Sequence, residues 1–146
     1  MKKRVLIIGP KNSGTRVIAQ GIEQSQTPIK KVANVLYTDK TIIVPNTYLE
    51  SPWMHKHIIA LQQSASYALF LVPVQCKKMS YPPNFSKVFR VPVMGIITSV
   101  GDDFSKKEQQ HARTVIEKIG LSSNWCQLNL ETEFDLKDMI QIHSKK

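Results

Sequence analysis

Arg4-Val5-Leu6-Ile7-Ile8-Gly9-Pro10-Lys11-Asn12-Ser13-Gly14-Thr15-Arg16 is the stretch on which the fold turns. The apolar run Val5 to Ile8 suits a central strand buried on both faces. Gly9 to Gly14 then reads as a loop. Behind it, Val17, Ile18, Gly21 and Ile22 share one face of a helix running to about Gln24. Strand, glycine-bounded loop and helix are the setting of the phosphate-cradling pattern G-x-x-x-x-G-K-[ST]. That pattern follows its second glycine with a lysine for the β- and γ-phosphates and then a hydroxyl that ligates Mg²⁺. This chain has Thr15 and Arg16 there. Thr15 brings no charge, and Arg16 puts a cation where a metal ligand belongs. What survives is backbone: N–H groups at a helix N-terminus still attract an anion, and Lys11 or Arg16 add charge. The expectation is weak phosphate, sulfate or nucleotide binding without tight Mg-nucleotide binding. The two glycines alone also suffice for a tight strand-to-helix turn.

Outward from this loop, short apolar runs alternate with helical patterns, the signature of a mostly parallel sheet covered by helices. Lys31–Tyr37 and Thr41–Val44 read as strands about a turn at Thr38-Asp39-Lys40, a hairpin that makes one edge strand antiparallel. Pro45-Asn46-Thr47 breaks the pattern, and Ser51-Pro52 reads as the cap and first position of a helix carrying Ile58, Ile59 and Leu61. Tyr67–Pro73 and Val91–Thr98 are buried strands, with a loop at Cys76–Asn84 and a short helix about Phe85–Phe89 between them. Ser105-Lys106-Lys107-Glu108 is a capping box. Ala112, Val115, Ile116 and Ile119 form the apolar face of the helix behind it, and Gly120 stops that helix. Trp125–Leu128 is a last strand, and Asp135 caps a C-terminal helix. The expected fold is α/β: one three-layer α/β/α sandwich domain over residues 1–146, its mostly parallel six-stranded sheet carrying one antiparallel edge strand. Ligands in such sheets sit at the C-terminal strand ends, which points to the loops behind the strands.

A length of 146 residues suits a single domain, and 42% apolar with 21% charged residues is a globular balance. No apolar run is long enough to span a bilayer, and Met1-Lys2-Lys3-Arg4 is followed by too short an apolar stretch for a signal peptide. Cys76 and Cys126 stand too far apart for a CxxC site and read as reduced thiols of a cytoplasmic protein. His55-Lys56-His57 has no cysteine or carboxylate at zinc-ligand spacing, so no metal is expected. The net charge of +9 favours anionic partners. Its lysine pairs are scattered and not interleaved with aromatics, which argues against nucleic acid.

Several stretches together resemble the EutP/PduV family of ethanolamine- and propanediol-utilization proteins, small Ras-like P-loop proteins. They are Lys3–Gly9 with Pro10, Tyr48-Leu49-Glu50, Tyr81-Pro82-Pro83-Asn84-Phe85, and Arg90-Val91-Pro92-Val93-Met94-Gly95-Ile96-Ile97-Thr98. The family shows P-x-G-E/N-Y-L-E, P-P-G-F and R-P-V-I-G-V-V-T-K-x-D at the last three places. The resemblance covers nearly the whole chain and implies a Ras-like P-loop domain of mostly parallel sheet.

The departures from the family pattern carry as much information. Besides Thr15 and Arg16, the switch threonine falls at about Val32, and the D-x-P-G turn becomes Val44-Pro45-Asn46-Thr47. The base-reading T-K-x-D becomes Thr98-Ser99-Val100-Gly101 with Asp102 one place late, and the Ser-Ala stretch near the last strand falls at about Asn129-Leu130. Phosphoryl transfer depends on positioning and electrostatics, so losing these groups together removes the means of hydrolysis. The expectation is therefore a degenerate GTPase-like protein with no catalytic residue and no cofactor. The resemblance implies that it acts through contacts with pathway or shell proteins of a bacterial microcompartment. Candidate contact features are the Ser51–His57 helix start, with Trp53, His55 and Lys56 exposed, and the Lys77–Phe85 loop. Two alternatives stay open: a nucleotide-dependent enzyme or sensor of acetate-kinase type, and a basic nucleic-acid-binding module. Pathway, partner and oligomeric state are not fixed by the sequence.

Overall fold

The computed structural model describes residues 4–11, 13–23, 34–38, 40–75, 81–101, 104–121 and 124–130. Strands β1 (Arg4–Ile8), β2 (Leu36–Tyr37), β3 (Thr41–Ile43), β4 (Ala65–Pro73), β5 (Val93–Ser99) and β6 (Trp125–Asn129) form one six-stranded sheet in the order β2-β3-β1-β4-β5-β6. Every pairing is parallel except β2 with β3, so the expected antiparallel edge strand is present. Helices α1 (Thr15–Glu23), α2 (Asn46–Glu50), α3 (His55–Leu61) and α4 (Lys106–Ile119) cover the sheet.

Alternation along the strands divides the core in two. Leu6, Ile8, Ala68, Phe70 and Val72 face one side, where they meet Leu49 of α2, Ile58 of α3 and Ala112, Val115, Ile116 and Ile119 of α4. Ile7, Leu69, Leu71, Met94 and Ile96 face the other, against Ile18, Ala19 and Ile22 of α1. β1 is buried on both faces because apolar neighbours stand on both. Each fully buried Leu or Ile contributes about 1.5–3 kcal/mol.

The turn joining β2 to β3 is fastened to the end of α1. The Glu23 carboxylate accepts a hydrogen bond from Lys40 N–H (2.7 Å) and another from the Thr38 hydroxyl. Arg4 Nε donates to Thr38 O at 2.6 Å, with its guanidinium over the Tyr37 ring. On the other face, Tyr81 is a buried rivet: its hydroxyl lies 3.0 Å from Ile8 O and 2.8 Å from Leu71 O, joining the ends of β1 and β4. Phe70, Tyr81, Phe85 and Phe89 stack around it. α4 is capped as the sequence predicts: Glu108 N–H donates to Ser105 Oγ (3.1 Å), and Ser105 N–H donates to Glu108 Oε1 (3.0 Å). Gly120 ends α4 at φ +100°.

Three expectations about helices change. Pro45 ends the strand pattern as expected, but a helix follows at once: Pro45, at φ −58° and ψ 142°, leads directly into α2 at Asn46, and Asn46 Nδ2 donates to Glu50 Oε2 at 2.8 Å. Ser51 precedes Pro52 as expected, but its side chain caps nothing, and Pro52–Met54 is a 3₁₀ turn before α3. The helix expected near Phe85–Phe89 is a 3₁₀ turn over Phe85–Val88, held by Ser86 Oγ donating to Ile119 O at 2.7 Å. Cys126 is free and half-buried. Cys76, the start of the strand expected from Lys31, most of the Cys76–Asn84 loop and the helix capped by Asp135 lie outside the described residues. Among the described residues, no helix is long and apolar enough to cross a membrane.

Candidate functional site

The loops behind β1, β5 and β6 converge at one end of the sheet. Behind β1 the chain turns tightly: Ser13 N–H donates to Pro10 O (3.2 Å), and Gly14 O accepts from Ile18 N–H (2.9 Å) to begin α1. Gly14 has φ +92°, a conformation L side chains rarely adopt. Gly9 has no room for a side chain, because a Cβ there would stand 2.2 Å from Ser13 Oγ and 3.0 Å from Leu71 Cβ. The Ser13 side chain is therefore folded back onto Gly9. Its hydroxyl is buried and has no hydrogen-bond partner among the described residues. Both glycines are required by the turn itself, so their presence says nothing about a ligand.

Thr15 and Arg16 open α1, with Thr15 half-buried and Arg16 exposed. Lys11 is exposed at the loop tip. The loop is tied down from the side: Thr98 Oγ1 in β5 donates to Ser13 O at 2.8 Å. Thr98 O in turn accepts from Val74 N–H (2.8 Å), and Ser99 O accepts from Leu130 N–H (2.7 Å). Gly101 N–H donates to Asn129 Oδ1 at 3.0 Å. Leu130, just beyond β6, rests its side chain against Gly14. A Cβ on Gly14 would lie 2.6 Å from Leu130 Cδ1. Beside it runs a small cleft whose walls include Val74, Val100, Phe104 and Leu130, with Gln75, Thr98 and Ser99 as polar groups.

Most of the predicted positions thus meet at this end of the sheet. Gly9, Pro10, Lys11, Ser13, Gly14, Thr15 and Arg16 form the loop and helix start, and Thr98, Ser99 and Gly101 lie beside it. Val44 does not serve the site: it is buried, and its N–H donates to Ile7 O at 3.1 Å. Asn46 has turned away into the first turn of α2. Asn12, Val32 and Asp102 lie outside the described residues. Leu130, read from sequence only as a loosely aligned position, is the side chain that closes the loop. His55, expected to be exposed, is half-buried: its Nε2 lies 2.6 Å from Leu49 O, and its ring stands 5.5 Å from that of Phe85. Among the described residues no group of three His, Cys, Asp or Glu is placed to hold a metal ion.

Many solved structures share this architecture. Translation elongation factor SelB from Methanococcus maripaludis (apo form) superposes with a TM-score of 0.64 at 14% identity, covering 100% of this chain and 35% of that one. A probable GTP-binding protein engB gives 0.64 at 13% identity, covering 97% and 98%. The G domain of the T. maritima FeoB iron transporter gives 0.58 at 12% identity, covering 100% of both. At these identities the likeness shows the fold alone: the fold of Ras-like P-loop GTPases. In sequence, the chain is 23% identical over 96 residues to the propanediol utilization protein PduV of Citrobacter freundii. That match covers 66% of this chain and spans 64% of the relative's length. The family model described as PduV-EutP, ethanolamine utilisation - propanediol utilisation, matches residues 1–141, and the chain belongs to that family.

Proposed function

We propose that this protein is a GTPase-like member of the PduV-EutP family that has given up nucleotide chemistry and works through protein contacts. Its setting is ethanolamine or propanediol utilization in the bacterial cytoplasm, in association with a microcompartment. The observation that carries the reading is the start of α1. Thr15 and Arg16 stand where phosphoryl transfer needs a lysine and a hydroxyl metal ligand. An exposed guanidinium at that point repels a divalent cation.

The rest of the site supports the same reading. Val44, at the place of the acidic turn, is a core residue engaged with β1. Leu130 puts hydrocarbon on Gly14, where a working loop presents bare backbone to its ligand. Ser99 and Gly101 replace the base-reading lysine and aspartate with groups that cannot pair with a purine edge by charge. These residues do not fit a magnesium-nucleotide, and no catalytic step follows from them. What the site retains is a loop of backbone amides with Lys11 at its tip and Arg16 on the helix start, suited to weak inorganic anion binding.

Calorimetric titration of GTP, GDP and ATP, with and without Mg²⁺, tests the proposal. No heat at high-micromolar ligand is the expected result. Tight, Mg-dependent binding would refute it and revive the nucleotide-dependent enzyme.

A further inference from the structure

From Ser51 to Gly101 the chain contains no aspartate or glutamate, while Lys56, Lys77, Lys78, Lys87 and Arg90 fall within it. The fold gathers much of this stretch on one face. The segments about α3 and the 3₁₀ turn Phe85–Val88 meet at two places. The His55 and Phe85 rings meet at 5.5 Å at one end, and Arg90 N–H donates to Gln62 Oε1 at 2.6 Å at the other. The end of α4 closes the far side, with Asn84 N–H donating to Lys118 O at 2.7 Å. The buried side chains of these elements, among them Ile58, Phe85, Phe89 and Ile119, belong to one core cluster, which places the elements on the same side of the sheet.

These segments carry Trp53, Lys56, His57, Lys87, Val88 and Arg90, all exposed. Trp53 is 72% exposed and Val88 50% exposed; of the exposed large apolar side chains among the described residues, these are the two flanked by cations of this acid-free stretch. Among the described residues, the neighbouring elements bring Glu50, whose carboxylate accepts from Asn46, and Glu117 on the last turn of α4.

We propose that this face docks an acidic, amphipathic segment of a partner protein, with Trp53 and Val88 as the apolar anchors and the surrounding cations as the complement to its carboxylates. Tryptophan is enriched among binding hot spots, and cations nearby set orientation and association rate. A single-stranded nucleic acid fits less well, because it needs successive stacking platforms and this face offers one. The inference rests on the proposed function, since it names the kind of partner behind those contacts.

The test is an amide NMR titration with a short synthetic helical peptide of leucine and glutamate, its glutamine twin, and an oligonucleotide of equal charge. Shifts confined to Trp53, residues 56–57 and residues 87–90, seen with the glutamate peptide and lost with the glutamine one, support the proposal. Trp53→Ala should weaken that binding about tenfold or more. Lys87→Glu should weaken it further with rising peptide charge, while Val17→Ala on α1 leaves it unchanged. Matched thermal midpoints exclude unfolding as the cause. A flat titration, equal response to both peptides, or tighter binding of the oligonucleotide overturns it. Flat peptide titrations alongside absent nucleotide heat would remove this face alone, whereas tight nucleotide binding would remove the functional reading beneath it.

Discussion

Replacing Gly14 with alanine puts a methyl group into a place that the backbone and a distant side chain both deny it. At φ +92° an L residue is strained, and the left-handed region costs roughly 1–2 kcal/mol. The new Cβ would also stand 2.6 Å from Leu130 Cδ1, and overpacking of this kind costs about 1–3 kcal/mol. Leu130 is half-buried and the clash falls at the free end of its side chain, so the lower part of that range applies. The sum for Gly14→Ala is about 2–4 kcal/mol. Leu130→Ala removes the obstructing atoms. In that background Gly14→Ala should cost only the backbone part, leaving a coupling of about 1 kcal/mol or more. Urea unfolding of the wild type, both single variants and the double variant measures it, with the midpoint moving and the slope constant. Additivity within about 0.5 kcal/mol would show that Leu130 does not rest on Gly14. A cost below about 0.5 kcal/mol for Gly14→Ala would refute the left-handed turn as well.

Other variants probe the remaining supports. Tyr81→Phe keeps the ring stack but removes the hydrogen bond to Ile8 O and Leu71 O, and should cost about 1–3 kcal/mol in urea unfolding, since the carbonyls it served are buried. Ser105→Ala breaks the capping box and should cost about 1 kcal/mol, read most directly as faster amide exchange in the first turn of α4. Burial pushes the Cys126 thiol from 9.0 up to about 11, and burial also raises the neighbouring Tyr67 phenol. The unfolded thiol ionises first, so this contribution to stability is intact below about pH 9 and is lost as pH rises toward 11. The melting temperature should fall across that window, less steeply in Cys126→Ala, and Cys126 should react slowly with disulfide reagents at neutral pH.

The fold was largely legible because its signals are local. A continuous apolar run, a glycine at each end of a turn, and a serine three residues before a glutamate each act within a few positions, and β1, α1 and α4 follow from them. α2 was missed for a local reason too: five residues after a proline are too few to show helical periodicity, and Pro45 reads as a terminator until its ψ is known. His55 looked like a surface residue because histidine is polar, but a carbonyl six positions back satisfies it.

The site was half legible. Its loop is local, and the substitutions at Thr15 and Arg16 stand in plain sequence. The side chain that covers it is not local: Leu130 and Gly14 meet only once the sheet is assembled, and no spacing pattern announces the contact. Tyr81 is similar, since its hydroxyl serves carbonyls on two strands that no periodicity links to it.

The place of β1 in the sheet has a consequence for how the chain comes together. β1 sits between β3 and β4, pairing Ile7 with Ile43 and Ile8 with Phe70. Its partners therefore leave the ribosome well after it does. Until they arrive, a greasy segment beside a cluster of cations waits without a mate, and no helix alone can shelter both of its sides. Closing such long intervals is slow. The nascent chain is consequently most exposed to wrong associations while β4 is still being made, a stage at which chaperone occupancy should peak.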